Sequence, residues 1–135
     1  MDNNKINILN INISKGSLKT ILNETLKLLD SNEKFYVCAP NAYITVKANE
    51  DEEFLKILNN ASIAIPDGMI LVWYSKTFKK SLLGRISGFD FFYNFSKVAD
   101  KRRYSYFFMG GRSKVVLKRI KERLGNNKSI NYTNR

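Results

Sequence analysis

Asp67 has both the type and the setting of a residue that does chemistry. It stands in Ile65-Pro66-Asp67-Gly68, where the apolar run Ser62-Ile63-Ala64 meets two residues that interrupt regular structure. The run suits a buried strand and an amphipathic segment follows from Met69 to Phe78, which puts the acid at a strand-to-helix turn. Ligands of open α/β sheets bind outside the carboxyl ends of the strands, so an acid there is a candidate for chemistry. A helix cap that accepts a backbone N–H is the other reading of Asp67. Gly110-Gly111 ends a second apolar run, Tyr104-Ser105-Tyr106-Phe107-Phe108-Met109. Glycines at a strand end let the backbone approach a phosphate, and the following helix start adds N–H donors. A tight turn without a ligand also accounts for the pair. Between these two places lies Gly84-Arg85-Ile86-Ser87-Gly88-Phe89-Asp90, too rich in glycine to read as helix. Arg85 in such a loop either grips a phosphate bidentately or is a solvated charge. Asp90 is placed to cap a following helix that carries Phe91, Phe92 and Phe95.

Other chemistries are closed to this sequence. It has no histidine, which excludes His-based acid/base work, a Ser-His triad and a His-ligated zinc site. Carboxylates, hydroxyls, backbone N–H groups, Lys and Arg remain. The single cysteine, Cys38, lies in Phe35-Tyr36-Val37-Cys38-Ala39, so no intrachain disulfide forms, and a buried, inert thiol in a reducing compartment is expected. Twenty-three Lys and Arg against 12 Asp and Glu give a net charge of +11, which favours anionic partners: nucleic acid, nucleotide phosphates or a membrane surface. Lys, Asn and Ile are all abundant, as AT-rich coding would produce, so the charge alone does not choose among them. The N-terminus lacks the apolar core of a signal peptide, and no run of about 18 apolar residues crosses a bilayer.

The elements that must position these residues follow from periodicity. Ile6, Ile8, Leu9, Ile11 and Ile13 alternate with Asn7, Asn10 and Asn12, which predicts a strand or hairpin over Lys5 to Ser14. Ser17 is placed to cap a helix in which Leu18, Ile21, Leu22, Leu26 and Leu29 recur through Asp30. Phe35 to Ala39 reads as a five-residue buried strand, broken by Pro40-Asn41 into a helical stretch that continues past the acidic cluster Glu50 to Glu53 as far as Leu58. Strand, turn and helix recur at Ile63 to Gly68, and again at Tyr104 to Arg112 with a final helix over about Ser113 to Leu124. Such alternation predicts one α/β domain over residues 1–135, Rossmann-like, with a mostly parallel sheet flanked by helices. Asn41, Asp67 and Gly110-Gly111 beside Arg112 would then share one edge of that sheet.

Six blocks together carry a family resemblance: Cys38-Ala39-Pro40-Asn41-Ala42, Leu58-Asn59-Asn60-Ala61, Ile65-Pro66-Asp67-Gly68, Val72-Trp73, Arg85-Ile86-Ser87-Gly88-Phe89-Asp90 and Phe107-Phe108-Met109-Gly110-Gly111. In order and spacing they resemble the WecG/TagA/CpsF glycosyltransferases, family 26, from about Phe35 to Leu124. The resemblance implies transfer of an N-acetylmannosamine-type sugar from a UDP-sugar to a polyprenyl-diphosphate-linked acceptor, in teichoic acid or cell-surface polysaccharide synthesis. It implies a peripheral protein at the anionic inner face of the cytoplasmic membrane, with no cofactor beyond the UDP-sugar substrate and no divalent metal. Asp67 matches the family's essential aspartate, proposed as the general base. Asn41 matches the asparagine of its Thr-Pro-Asn-Ala motif, and Arg85 an arginine expected near the donor diphosphate. Gly68, Gly88, Asp90, Gly110 and Gly111 fall in matched blocks and are assigned by the same resemblance to substrate binding.

The chain also departs from the family pattern. Ala39 replaces the usual Thr, Ile70 a glycine and Gly84 a glutamate. Family members are considerably longer, and near Asn131 to Arg135 the next strand of the sheet would be starting, so the resemblance implies the N-terminal portion of a domain truncated at its C-terminus. A catalytically inactive nucleotide-sugar-binding or partner-binding remnant is therefore a second reading, and a homo-oligomer that completes the site stays open. A basic nucleic-acid-binding domain is a third. The aromatic run from Tyr104 to Phe108 speaks against it, because inside an apolar strand it suggests core rather than a stacking platform.

Overall fold

The structure, a computed structural model, describes residues 4–78, 82–102, 104–109, 122 and 130–133, and six short strands and five helices lie among these described residues. They form two compact units, Met1–Phe91 and Phe92–Arg135. The class is mixed α/β.

Unit 1 begins with the expected hairpin, β1 (Lys5–Ile8) antiparallel to β2 (Ile11–Ser14), with Ile8 opposite Ile11 and Lys5 opposite Ser14. A two-residue connection that follows strand twist needs positive φ at both positions, and Leu9 and Asn10 adopt 49° and 66°. Asn tolerates that region and Leu does so poorly. Leu9 is held there by packing on the core that Ile8, Ile11 and Ile13 enter. Two asparagines far along the chain fasten the hairpin tip. Asn59 accepts the Asn12 N–H at 2.8 Å and donates to the Asn10 carbonyl at 2.9 Å, and Asn49 donates to the Leu9 carbonyl at 3.0 Å.

Helix α1 (Leu18–Asp30) starts as its sequence requires, with Ser17 Oγ accepting the Thr20 N–H at 3.2 Å. The expected strand over Phe35 to Ala39 shrinks to β3 (Val37–Cys38). It pairs in parallel with β4 (Ile63–Ala64), which comes two helices later, through Val37↔Ile63 and Cys38↔Ala64. Pro40 and Pro66 stand two residues beyond the ends of these strands and have no N–H to extend the ladder. The helical stretch between the strands is likewise broken, into α2 (Ala42–Glu50) and α3 (Glu52–Asn60). Asp51 is extended between them and its side chain caps α3 by accepting the Phe54 N–H at 3.0 Å. An acid at that point opposes the C-terminal dipole end of α2 and suits the N-terminus of α3, so the break follows from charge.

Side chains alternate across β4 and its run-out. Ile63 and Ile65 enter one cluster with Ile21 of α1 and Ile86, while Ala64 enters another with Ile8, Ile13, Leu58 and Leu71. The strand is thus covered on both faces, which explains its unbroken apolar sequence. Helix α4 (Met69–Thr77) buries Leu71, Val72 and Ser75. It is not amphipathic as its sequence suggests, because the outer face shows Met69, Ile70 and Trp73 to solvent. Helix α5 (Gly88–Lys101) runs from the end of unit 1 into unit 2.

In unit 2, β5 (Tyr106–Met109) pairs in parallel with β6 (Ile130–Thr133), from Tyr106↔Ile130 to Met109↔Thr133, so a strand does begin where the sequence places one. Phe92 meets the Tyr106 ring edge-on at 6.0 Å, and the Tyr104 N–H reaches the Ala99 carbonyl at 3.0 Å. The aromatic run is not wholly core, since Phe107 is 62% exposed. Alternation along a strand sends one residue in two to the far side. Gly110, Gly111, Arg112 and most of the expected final helix lie outside the described residues.

Candidate active site at the carboxyl ends of β3 and β4

Parallel pairing of β3 with β4 carries both chains out of the sheet in the same direction, so the turns that follow lie side by side. The Asp67 N–H reaches the Pro40 carbonyl at 3.2 Å as well as the Ile65 carbonyl at 2.8 Å. Gly68 comes so near the other turn that a Cβ built on it would lie 3.8 Å from the Asn41 Cα. Asn41 and Asp67 are therefore neighbours, as their shared place after two parallel strands predicts. A third segment crosses this edge: the Ile86 N–H donates to the Pro66 carbonyl at 3.1 Å, and Ile86 itself is buried beside Ile63 and Ile65. One apolar anchor thus holds the loop that carries Arg85.

Asp67 does not cap α4. The cap position belongs to Gly68, which has no side chain to offer, and α4 begins without a side-chain cap hydrogen bond. The carboxylate turns instead to Arg85, with Nη2 3.4 Å from Oδ1, and side-chain exposures of 49% for the arginine and 27% for the aspartate. Charge-assisted hydrogen bonds of this kind usually close to about 2.7–2.9 Å, so the contact is loose and the guanidinium is free to share its other donors. The second oxygen, Oδ2, faces Gly88: a Cβ there would lie 3.4 Å from it and 3.3 Å from the Ala39 Cβ.

Asn41 has a double place. Its Oδ1 accepts the Ile44 N–H at 3.0 Å and so caps α2, and its carbonyl accepts both the N–H and the hydroxyl of Thr45. The amide Nδ2 of this exposed residue has no recorded partner among the described residues and is the group left to meet a ligand. Asp90 is corrected, because α5 begins at Gly88 and the acid is the third residue of the helix rather than its cap. Ser87 takes the cap position, with Oγ accepting the Phe89 N–H at 3.2 Å and its carbonyl accepting the Phe91 N–H at 2.9 Å. A Ser with an acid three residues on is a helix-start signature, so Ser87-Gly88-Phe89-Asp90 could have been read this way from sequence.

The edge therefore assembles Asn41, Asp67, Gly68, Arg85 and Gly88, with Ala39 as a wall. Gly110 and Gly111 lie outside the described residues. Cys38, one residue before that wall, is half-buried, and burial pushes its thiol up to about 11 against the pull of the Lys5 ammonium and of its own backbone N–H. It stays a neutral thiol at physiological pH and is no nucleophile.

Comparison with known proteins identifies a family and two relatives. The model of the glycosyl transferase WecG/TagA/CpsF family matches residues 6–132. The chain is similar to the N-acetylglucosaminyldiphosphoundecaprenol N-acetyl-beta-D-mannosaminyltransferase of Bacillus spizizenii, at 30% identity over 92 residues, 68% of this chain and 36% of that protein. It is similar to the protein of the same name from Bacillus subtilis at 29% over 76 residues, 56% of this chain and 30% of that one. The chain thus spans about a third of the length of the curated relatives it matches.

Proposed function

The chain belongs to the glycosyl transferase WecG/TagA/CpsF family, and from that premise we propose that the edge around Asp67 transfers an N-acetylmannosamine-type sugar from a UDP-sugar to a polyprenyl-diphosphate-linked acceptor. The acceptor part of this reading rests on the relatives' names, which specify an N-acetylglucosaminyl diphosphoundecaprenol. The donor part rests on the chemistry of the edge. A Rossmann-like sheet is the fold the reading requires, and two parallel strand pairs, one followed by helix-starting turns at Asn41 and Gly68, support it.

The observation that carries the reading is the state of Asp67: in a helix-start turn, held by an exposed arginine and not engaged as a cap. In the proposed step the acceptor hydroxyl oxygen attacks the anomeric carbon of the sugar and its proton passes to Asp67. The bond from that carbon to the diphosphate oxygen breaks, and the electron pair leaves on UDP. Arg85, with donors left over after its contact to Oδ1, offsets the charge that gathers on the diphosphate. Asn41 offers its amide Nδ2 to sugar or phosphate oxygens. The site works at the anionic inner face of the cytoplasmic membrane, where the acceptor's prenyl chain is anchored.

Replacing Asp67→Asn removes basicity while keeping shape. Because no cap bond is lost and the ion pair is half-exposed, stability should change by under about 1 kcal/mol. UDP release in the presence of a soluble N-acetylglucosaminyl diphosphate lipid should fall roughly 10²- to 10⁴-fold while UDP-sugar affinity holds. Transfer at the parent rate would end the assignment of Asp67. UDP-sugar binding without turnover in the parent chain would instead favour the binding remnant, a reading that Ala39 in place of the family's hydroxyl also favours.

A further inference from the structure

Of the four described glycines, Gly16 adopts a φ of +119°, which a side chain tolerates poorly. Gly84 has open space around it and Gly68 ordinary contacts. Gly88 differs from all three. Its φ lies outside the left-handed region, and it occupies the first turn of α5, where alanine is the better helix former by about 1 kcal/mol in a helix interior. Neither conformation nor propensity accounts for a glycine there. What accounts for it is space, because an added Cβ would crowd the Ala39 Cβ at 3.3 Å and fill the space beside Asp67 Oδ2, at contact distance of 3.4 Å.

The two oxygens of Asp67 thereby face different surroundings. Oδ1 meets the Arg85 guanidinium, and Oδ2 meets the gap that the missing Cβ leaves against the methyl of Ala39. We propose that Gly88 is a specificity-determining residue: the absence of its Cβ leaves the clearance directly over Asp67 Oδ2, and the acceptor's sugar hydroxyl reaches the base through that clearance. The proposal rests on the function given above and adds which oxygen receives the proton and what limits the bulk of the alcohol that delivers it. A secondary sugar hydroxyl carries a carbon on either side of its own, so it needs more room beside Oδ2 than water does.

The test compares the parent chain with Gly88→Ala, using a soluble N-acetylglucosaminyl diphosphate lipid as acceptor and water as the competing small nucleophile. A misplaced methyl in a fitted site discriminates by roughly 10- to 200-fold, so the acceptor KM should rise by that order while the UDP-sugar KM holds within about twofold. UDP-sugar hydrolysis by water should fall far less than transfer, a split that general loss of structure would not produce. Acceptor affinity measured calorimetrically against a non-transferable UDP-sugar analogue repeats the comparison without turnover. Since the Cβ could act by distorting the packing, Gly88→Ala/Ala39→Gly relieves the 3.3 Å contact and leaves the contact with Oδ2. This double variant should keep the acceptor defect. Recovery of acceptor affinity in the double variant, or an unchanged acceptor KM in the single one, overturns the proposal. A parent chain that binds neither UDP-sugar nor acceptor refutes the function proposed above and this inference with it. A parent that binds both, with no acceptor defect in Gly88→Ala, refutes the inference alone.

Discussion

Under the proposed function Arg85 would hold Asp67 and the donor diphosphate at once. A guanidinium has five N–H donors in a planar fork, so one Nη can stay on Asp67 Oδ1 while the rest of the fork meets a diphosphate. Lysine has a point charge and must choose. Arg85→Lys is therefore expected to weaken UDP-sugar binding by about tenfold in calorimetry, a loss that the shape-preserving Asp67→Asn does not share. Equal affinity in Arg85→Lys would return the residue to a solvated charge. Cys38 gives a prediction in pH. Burial raises its thiol from 9.0 to about 11, so the folded chain holds the proton longer than the unfolded chain does. Its contribution to stability is constant below about pH 9 and is lost as pH climbs toward 11. Alkylation at pH 9 should accordingly be slow in buffer and fast in denaturant, as mass spectrometry would show. Equal rates would mean that the thiol is not shielded.

Elements whose signals are local were legible in the sequence, and those settled by distant partners were not. Helix α1 could be read because its cap and its periodic leucines lie within one segment. The turns at Asn41 and Asp67 could be read because Pro40, Pro66 and Gly68 mark them. By contrast β3 and β4 are only two residues long, a length fixed by their mutual register and by prolines beyond it. Asp67 meets Arg85 instead of capping α4 because of a loop 18 residues away, a partner that a local reading of the turn does not contain. The asparagines were the largest gap. Their abundance suggested drift in composition, yet Asn59 bonds both Asn10 and Asn12 across the hairpin tip, the latter from 47 residues away. Asn59→Ala leaves the exposed Asn10 carbonyl to water but strands the part-buried Asn12 N–H, which costs about 1–3 kcal/mol. Urea unfolding should show a loss in that range, with little change in m because the surface exposed on unfolding is nearly the same. A loss below the lower limit would mean that water replaces Asn59 without penalty.

Charge and exposed apolar surface belong to the molecule as a whole, and under the proposed function they would share one purpose. A net charge of +11 alone fits nucleic acid as well as an anionic bilayer. The apolar surface separates the two. Met69, Ile70 and Trp73 stand exposed on α4 directly after the site, and Phe89 stands exposed beside Gly88. Exposed aromatic and aliphatic side chains next in sequence to such a site suit an interface with lipid, where the proposed prenyl-linked acceptor would be reached without leaving the membrane. Basic residues supply the longer-range attraction, on the order of 1 kcal/mol for each Lys or Arg near an anionic surface. Lys101 and Arg102, exposed at the end of α5, are candidates for that role. The chain should then sediment with vesicles rich in anionic lipid and be released as salt screens the charges. Trp73→Glu and the pair Lys101→Glu/Arg102→Glu should each reduce vesicle binding, the first even at high salt and the second mainly at low salt, while UDP-sugar affinity stays unchanged. If Trp73→Glu instead leaves vesicle binding intact and converts an oligomer to a monomer in sedimentation, the face of α4 meets a second copy of the chain. If random-sequence DNA binds as tightly as the vesicles do at the same ionic strength, the charge is not selective for a membrane and the nucleic-acid reading returns.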